Sequence, residues 1–238
     1  LNNLASAGLP VPEPQRTLDG MPSTIFKGKP TWLFNRLAGK HLADPDEAQC
    51  RDIGVALASI HTSLNNPKKI NKYSRGNVYD EGWARATLDV VGNSIDRKDL
   101  ANLTAVVADY EKLHERHKNL PKGIIHGDLF RDNALFSDGE LTGVIDFYHA
   151  CEDYLIQDIA ITINDWCLRR GLVETQKLDA LLAGYESIRK LETAEQEALV
   201  EFRRFAAMRF TLTRLLAGRM DSSVKNPREF LHVLDNLS

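Results

Sequence analysis

The chain has 238 residues, 43% of them apolar and 26% charged, which is enough to bury one large core or two smaller ones. Its formal net charge of −3 without a basic stripe argues against a nucleic-acid-binding protein, and no window approaches the roughly 18 uninterrupted apolar residues of a membrane span. The three scattered cysteines, Cys50, Cys151 and Cys167, form neither a disulfide framework nor a zinc motif, so we expect a reduced, cytoplasmic protein.

The start of the chain predicts the end of a helix followed by short strands. Leu1–Leu4 begins abruptly, as a helix already in progress, and Gly8 is a candidate C-cap. The prolines of residues 9–14 exclude a helix there. Strands are predicted at Gln15–Leu18 and Thr31–Leu37, and the second runs into a candidate hinge.

From Asp46 onward the hydrophobic periodicity becomes helical. One apolar stripe recurs at i, i+4, i+7 and i+11, formed by Ile53, Leu57, Ile60 and Leu64. A second stripe runs from Leu100 to Leu113, before Pro121 breaks it. The polar stretch 63–82 is predicted to be a loop.

Three short apolar runs in the middle of the chain are predicted to be strands, at Ile124–His126, Ala134–Phe136 and Leu141–Ile145. The last two flank Asp138-Gly139, a favourable hairpin turn. The polar residues of this region therefore fall on loops at the ends of strands, where rigid backbone positions functional side chains.

The final third of the chain is predicted to be helical, over Leu155–Leu168, over Glu174–Leu191 and from Ala194 onward. Thr193 and Gln196 are spaced as a capping box for the last helix. Four arginines interrupt the apolar surface of that helix, namely Arg203, Arg204, Arg209 and Arg214.

The turn after Ile124–His126 carries the most informative residues. Asp128 is followed five residues later by Asn133, and this spacing matches the phosphoryl-transfer catalytic loop, in which the aspartate accepts a proton from the attacking hydroxyl and the asparagine ligates Mg²⁺. Asp146 stands where a second metal-binding aspartate is expected. Because Mg²⁺ prefers hard oxygen ligands, one carboxamide and one carboxylate suffice to hold it together with phosphates and waters.

Each of these residues also has an ordinary structural interpretation. A lone aspartate such as Asp128 is most often a turn residue or a helix cap, and Asn133 is compatible with a left-handed turn position. Their occurrence together with Val-Ile-Asp-Phe at 144–147 favours the catalytic interpretation. We interpret His126 as a packed, hydrogen-bonded brace of the loop and Asp132 as a solvated turn residue.

These motifs resemble those of a known enzyme superfamily. The Ile-His-Gly-Asp-Leu-x-x-x-Asn and Val-Ile-Asp-Phe pair resembles the aminoglycoside phosphotransferase and choline kinase superfamily, which has a protein-kinase-like fold. Further stretches, which together span nearly the whole chain, resemble its bacterial homoserine kinase branch: Gly8–Pro12, His126–Phe136, Gly143–Cys151, Asp158–Cys167 and Val224–Phe230. The catalytic motif is specific to the superfamily, and the last two stretches point to homoserine.

The resemblance implies a role for several residues. It makes Asp128 the catalytic aspartate, with Asn133 and Asp146 as the ligands of Mg²⁺. Asp158 resembles the family's buried aspartate that hydrogen-bonds the catalytic-loop backbone, with a helix N-cap as the alternative. The resemblance also implies that ATP places its adenine on the strand 32–37, with contacts from Arg36, Leu37, Leu135 and Ile145. For Leu135 and Ile145, a plain core position is an equal alternative.

At its start the chain departs from the family pattern. The family has an N-terminal lobe whose hairpin loop covers the nucleotide phosphates, but no glycine-rich loop or phosphate-pairing lysine precedes Leu1 here. We therefore expect that the initial part of a complete enzyme is absent from this chain or has been removed from it, so tests of activity require the complete protein.

Homoserine carries an α-carboxylate and an α-ammonium, so its pocket needs a cation or amide donors together with a carboxylate or a carbonyl. The candidates for this role are Arg131, Tyr148, Asn164 and Asp165. Asn164 and Asp165 rank first, because polar residues in so apolar a helix need partners if they are buried. Further candidates are Trp166, Arg209 and Arg214, although arginine on an apolar helix often only extends its charge to solvent.

The predicted fold is α+β and protein-kinase-like, with residues 1–39 as a remnant of the N-terminal lobe and hinge and residues 40–238 as a mainly helical catalytic lobe. The predicted reaction is the Mg²⁺-dependent transfer of a phosphoryl group from ATP to L-homoserine, on the route to threonine, in a monomer or homodimer. Two alternatives stay open: a kinase of an aminoglycoside or of another small alcohol such as choline or ethanolamine, and a non-catalytic binding module derived from a kinase. The intact set of Asp128, Asn133 and Asp146 argues against the second.

Overall fold

The structure is a computed structural model that describes residues 1–65, 75–218 and 225–237. Within these residues, nine α-helices and eight short strands form the predicted mixed α+β arrangement, in which helices predominate after residue 46. None of the helices in this part of the chain combines the length and the apolar character needed to cross a membrane.

The first helix, α1 (Asn2–Ser6), ends as the sequence predicts. Gly8 has a φ of +84°, and the N–H groups of Gly8 and Leu9 donate to the carbonyls of Ala5 and Leu4 at 2.9 and 3.1 Å. This is the Schellman arrangement, which favours glycine at the left-handed position. Leu4 and Leu9 are buried in the same hydrophobic core as the later helices, so the start of the chain packs as part of the main body.

The strands predicted at Gln15–Leu18 and Thr31–Leu37 are wrong. The regular hairpin lies between these segments, where β1 (Thr24–Phe26) pairs antiparallel with β2 (Lys29–Thr31). Its two-residue turn is Lys27-Gly28, and both residues have positive φ, as a type I′ turn requires. The proline of β2 pairs with Ile25, next to the turn-flanking pair, at a position that makes no ladder hydrogen bond and therefore tolerates proline.

Helix α2 (Glu47–Leu64) buries the predicted apolar stripe except for its last member, which is partly buried. Asp46 caps the helix in a capping box with Gln49. Helix α3 (Glu81–Val91) was not predicted, although Asp80 caps it by accepting from the N–H of Trp83. Of the predicted loop 63–82, residues 66–74 lie outside the described residues, and residues 63 and 64 belong to α2. The second predicted stripe forms α4 (Arg97–Tyr110) and the short α5 (Leu113–Arg116).

Two antiparallel strand pairs hold the region of the catalytic motif. Strand β3 (Lys122–Ile125) pairs with β6 (Cys151–Tyr154), and β4 (Ala134–Ser137) pairs with β5 (Glu140–Val144) around the predicted turn at Asp138-Gly139. Lys40 exchanges two backbone hydrogen bonds with Phe136, each of 2.9 Å. The chain is therefore tied to the edge of β4 directly after residues 37–39, which the sequence predicts as a hinge.

The final helices are α6 (Leu155–Trp166), α7 (Thr175–Glu186), α8 (Thr193–Gly218) and α9 (Arg228–Asn236), with the hairpin of β7 (Leu168–Arg169) and β8 (Leu172–Val173) after α6. Helix α7 ends five residues before the predicted Leu191. The predicted capping box of Thr193 and Gln196 is wrong by one residue. Thr193 is already helical, and Glu195 accepts from the N–H of Glu192 at 3.0 Å.

Candidate active site

The catalytic loop begins where β3 ends and brings Asp128 and Asn133 into direct contact. A single 3₁₀ turn at Arg131–Asn133 reverses the chain, so that the Nδ2 of Asn133 donates to the Oδ2 of Asp128 at 3.1 Å and to its carbonyl at 2.8 Å. Because both partners are acceptors, the amide nitrogen must face them. The Oδ1 of Asn133 is therefore available to a cation.

Asp158, on the first turn of α6, binds the backbone of this loop. Its fully buried carboxylate accepts from the backbone N–H groups of His126 and Gly127 at 2.7 and 2.8 Å. His61 of α2 lies 3.1 Å from the same carboxylate through Nε2, while its Nδ1 lies 2.8 Å from the hydroxyl of Tyr185. Burial alone would raise the pKa of Asp158, but the hydrogen bond and charge of His61 and the contacts of His126 outweigh it and lower that pKa.

His126 joins the two halves of the motif. Its Nε2 lies 3.0 Å from the carbonyl of Ile145, and its Nδ1 accepts from the N–H of Asp128 at 3.3 Å. One ring nitrogen thus donates and the other accepts, which requires the neutral ring. Burial lowers the pKa of His126, in agreement with this assignment. The side chain has no free position for proton transfer and acts as a structural link.

The side chain of Asp128 is half-buried. Burial raises its pKa to about 6, against the opposing charge of Arg209 and with a smaller contribution from Asp146 in the same direction. A carboxylate with a raised pKa is a better proton acceptor than an ordinary aspartate.

Asp146 follows β5 in a left-handed conformation, with φ 61° and ψ 59°, which is uncommon for a residue other than glycine. The turn exposes its carboxylate, and Oδ1 accepts only a long bond of 3.4 Å from the N–H of Tyr148. Backbone geometry of this kind concentrates at functional sites. Among the described residues, no cluster of three or more His, Cys, Asp or Glu side chains suited to a metal is found.

Asp128, Asn133 and Asp146 line one cleft of about 380 Å³, so the structure brings the three predicted catalytic and metal-binding residues together. The cleft is also lined by three cationic side chains, those of Arg209, Arg214 and Lys225. Lys225 forms an ion pair with Asp132, which is exposed as predicted.

A larger cavity of about 1290 Å³ adjoins this cleft, and Asp146 lines both. All four residues predicted to contact adenine line the larger cavity, namely Arg36, Leu37, Leu135 and Ile145. The aromatic side chains of Trp32, Phe34 and Phe147 add flat apolar surface to its walls. Tyr148, predicted to bind the acceptor, is exposed and lines this cavity instead of the smaller cleft.

Arg131, Asn164 and Asp165 lie together in a third pocket of about 130 Å³, which shares no lining residue with the cleft. Asp165 accepts from the backbone N–H of Arg131 at 2.7 Å and from its guanidinium, and Asn164 both donates to the carbonyl of Arg203 and accepts from its Nε. These contacts fasten the catalytic loop and α8 to the end of α6. The assignment of the three residues to acceptor binding stays a prediction.

Sequence reasoning missed several residues around the site. His61 interrupts the apolar stripe of α2, and a polar residue on a buried face needs a partner, so this signal was available. Tyr79 and His149 also line the cleft, where the hydroxyl of Tyr79 lies 3.3 Å from the Nδ1 of His149. Both residues fall in segments without hydrophobic periodicity, so the sequence gave no such signal for them.

Comparison with known families decides the affiliation of this site. The family model described as "Phosphotransferase enzyme family" matches residues 1–191, which is most of the chain. The chain belongs to this phosphotransferase enzyme family. The affiliation confirms the resemblance inferred from the sequence motifs and makes the protein an enzyme that transfers phosphoryl groups to small molecules.

Within the phosphotransferase family, several curated relatives carry the name homoserine kinase. That of Azorhizobium caulinodans is 37% identical over 219 residues, which cover 91% of this chain and 67% of that protein. That of Rhizobium meliloti is 39% identical over 246 residues, covering 97% of this chain and 72% of that protein.

Solved phosphotransferase structures confirm the predicted fold. The structure described as amicoumacin kinase hAmiN in complex with AMP-PNP, Ca²⁺ and Ami superposes with a TM-score of 0.70 at 17% identity, covering 99% of this chain and 75% of that one. At this identity the likeness shows the fold alone.

Proposed function

We propose that this enzyme is a homoserine kinase, which transfers the γ-phosphoryl group of ATP to the side-chain hydroxyl of L-homoserine on the route to threonine. The observation that carries the proposal is the shared cleft of Asp128, Asn133 and Asp146, in a chain that is 35–39% identical to named homoserine kinases. The similarity to these relatives supports homoserine as the substrate, and the residues of the cleft support phosphoryl transfer as the reaction.

The nucleotide occupies the larger cavity in this proposal. Arg36 and Leu37 lie on the segment that precedes Gly39, and Leu135 and Ile145 provide an apolar floor from the β4–β5 hairpin. Gly39 permits the close approach, because a Cβ atom built there would lie 2.5 Å from the Oγ1 of Thr142 and 2.9 Å from the carbonyl of Phe136. The terminal phosphate then points toward Asp146, where the cavity meets the cleft.

Asn133 and Asp146 fit a divalent cation. The Oδ1 of Asn133 faces away from Asp128, and the exposed carboxylate of Asp146 makes only one long hydrogen bond, so both offer hard oxygen atoms at the junction of the two cavities. When bound there, Mg²⁺ would neutralise charge on the nucleotide phosphates. Two protein ligands agree with the preference of Mg²⁺ for retaining phosphate and water oxygens.

Asp128 acts on the acceptor. The homoserine hydroxyl oxygen forms a bond to the γ-phosphorus while the bond from that phosphorus to the β,γ-bridging oxygen breaks and ADP leaves. The hydroxyl proton passes to the carboxylate of Asp128, whose orientation is set by Asn133. The rigid mounting of the loop by Asp158 keeps the carboxylate aligned, which is the main protein contribution in a reaction with little covalent chemistry.

The remaining parts of the proposal concern the whole protein. We propose a cytoplasmic enzyme, a monomer or homodimer, with residues 1–39 serving the nucleotide and residues 40–238 forming the catalytic lobe.

An acceptor panel tests the substrate. ADP formation by the complete protein is measured with Mg²⁺-ATP and L-homoserine, L-serine, choline, ethanolamine or an aminoglycoside, and O-phospho-L-homoserine is identified by ³¹P NMR. The proposal expects the highest kcat/KM for L-homoserine. A preference for choline, ethanolamine or an aminoglycoside would establish a different small-alcohol kinase, and nucleotide binding without transfer to any alcohol would establish a non-catalytic module.

A further inference from the structure

Arg209 is a buried arginine on the wall of the acceptor cleft. It lies on α8, is only 6% exposed and lines the cleft together with Asp128. Its Nη1 donates to the carbonyl of Gly127 at 2.8 Å, one residue before the catalytic aspartate. Its guanidinium carbon lies 4.1 Å from the ring centre of Tyr79 and 4.6 Å from that of Phe210. These contacts fix the planar group in one orientation.

The hydrogen bonding of Arg209 is incomplete. Its Nε is buried and has no partner among the described residues. The Nε of Arg204 on the same helix also has no partner, but Arg204 pairs with Asp109 and does not line the cleft, whereas the described part of the chain supplies no salt-bridge partner to Arg209. A buried charged donor without a partner is costly, so its persistence on the wall of a cleft indicates a ligand atom that completes it.

We propose that Arg209 binds the α-carboxylate of the acceptor and thereby selects an amino-acid alcohol over a cationic alcohol. The inference rests on the proposed function, because it assigns the recognition of that same acceptor. The guanidinium offers N–H donors in a planar fork that matches a carboxylate, which makes arginine the usual partner of this group.

The position of Arg209 fits a carboxylate of the acceptor better than a phosphate of the nucleotide. Arg209 lines the small cleft and not the large cavity, whereas Asp146 marks the junction between the two. Its bond to Gly127 places it next to Asp128, where the acceptor hydroxyl must lie. Homoserine separates its hydroxyl and carboxylate by a short chain, so both groups reach this one end of the cleft.

The test compares the wild type with an Arg209 variant on two acceptors, L-homoserine and an analogue that lacks the carboxylate. 3-Amino-1-propanol is homoserine with hydrogen in place of the carboxylate, so it keeps the hydroxyl and the amine. We expect Arg209→Gln to lower kcat/KM for L-homoserine at least about 30-fold more than it lowers kcat/KM for 3-amino-1-propanol, the scale of a lost buried charge pair, because any loss through the Gly127 carbonyl or the Asp128 carboxylate is common to both acceptors. Equal losses on both acceptors would overturn the proposal, since they would show that Arg209 acts only through the Gly127 carbonyl.

Three controls separate the outcomes. Arg204→Gln, on the same helix but not among the residues lining the cleft, should leave the ratio of the two kcat/KM values unchanged. Arg209→Lys keeps the charge without the planar fork and should retain part of the preference for homoserine. The wild-type protein needs no substitution, so it tests the proposal even if the variants fail to fold. Equal kcat/KM for the two acceptors would overturn the role of Arg209 alone, and inactivity on homoserine would overturn the proposed function as well.

Discussion

The pKa values of two aspartates of the site, the half-buried Asp128 and the buried Asp158, are shifted in opposite directions. Asp128 has a pKa raised to about 6 because burial disfavours its charge, whereas Asp158 has a lowered pKa because its hydrogen bonds and the neighbouring histidines outweigh burial. A carboxyl group whose pKa is raised in the folded protein makes the protein less stable as the pH rises, whereas one whose pKa is lowered makes it more stable. The ionised Asp128, the proposed catalytic residue, therefore lowers the stability of the folded protein at neutral pH, and the ionised Asp158 raises it.

Replacing Asp128 with asparagine should stabilise the metal-free, nucleotide-free protein. The folded-state pKa of about 6 exceeds the ordinary value of 3.8, so the stability associated with the protonated form is present below pH 3.8 and lost as the pH rises through 6. We expect Asp128→Asn to raise the free energy of unfolding by about 1–3 kcal/mol at pH 7.5, with the difference vanishing near pH 4. Urea denaturation at both pH values measures it, and a variant less stable than the wild type at pH 7.5 would refute this assignment.

Replacing Asp158 with alanine should have the opposite effect. The substitution leaves the N–H groups of His126 and Gly127 without their acceptor and His61 without its partner. We expect a loss of about 3–5 kcal/mol at neutral pH, which shrinks as the pH falls below 3.8, because a lowered folded-state pKa stabilises only the ionised form. Denaturant titrations check this, with exposed Asp89→Ala as the control that should change little. A loss that stays constant down to pH 2 would contradict the linkage.

What the sequence could predict at this scale depends on local spacing. Asp128, Asn133 and Asp146 lie on one short loop and the next strand end, so their spacing alone suggested a common site that the structure then shows as one cleft. His61 and Arg209 reach the loop from distant helices, and no local spacing announces such contacts. The sequence made Arg209 one of several candidates for acceptor binding but gave no reason to prefer it.

At the scale of elements, two helices approach so closely that only glycine fits between them. A Cβ atom at Gly54 of α2 would lie 2.1 Å from the carbonyl oxygen of Leu181, and one at Gly184 of α7 would lie 2.1 Å from that of Arg51. The crossing also positions His61 and Tyr185, the pair that supports Asp158. The helix packing is therefore linked to the catalytic loop.

Substituting alanine at this crossing should destabilise the protein and disturb the loop. Overpacking between two backbones cannot be relieved by a side-chain rotation, so we expect Gly54→Ala to cost about 1–3 kcal/mol or more. The control is Gly82→Ala on the exposed first turn of α3, where the added methyl group meets only the Oδ1 of Asp80 at 3.4 Å. That change should be neutral or slightly stabilising. Thermal denaturation compares the two, and equal midpoints would show that the helices separate at little cost.

Helices and strands were predicted correctly where a long apolar periodicity or a strong turn signal marked them, and incorrectly where the turn signal was weak. The stripe of Ile53, Leu57 and Ile60 fixes α2, and the Asp138-Gly139 turn fixes the β4–β5 hairpin. The first hairpin was missed because Lys27-Gly28 is a weaker turn signal and its strands are exposed, without alternation to set a register. The start of α8 was displaced by one residue, because Glu195 and not Gln196 is the side chain that caps the helix.

Across the whole molecule, the large cavity and the cleft meet at Asp146. The proposed nucleotide site and the proposed acceptor site are therefore continuous. The family affiliation rests on residues 1–191, whereas the walls of the cleft also draw on α8 and Lys225 from beyond that range. In our proposal, the residue that selects the acceptor, Arg209, thus lies outside the part of the chain that matches the family.

Magnesium should strengthen nucleotide binding through Asn133 and Asp146. A ligand at 100 times its Kd stabilises a protein by about 2.7 kcal/mol, so a tighter Kd appears as a larger thermal shift at fixed nucleotide concentration. We expect Mg²⁺ to enlarge the shift given by a non-hydrolysable ATP analogue, and the double variant Asn133→Ala, Asp146→Ala to lose this increment. Asp132→Ala, a neighbouring carboxylate on the same cleft, should keep it. An unchanged increment in the double variant would place the cation elsewhere.

The most direct test of the account is the turnover of Asp128→Asn with Mg²⁺-ATP and L-homoserine, measured beside its nucleotide affinity. If Asp128 accepts the hydroxyl proton, kcat falls roughly 10²–10⁴-fold, while the Kd for nucleotide stays within about twofold. A variant that retains kcat within about twofold of the wild type, or that loses nucleotide affinity in proportion to kcat, would contradict the assignment of this cleft to phosphoryl transfer.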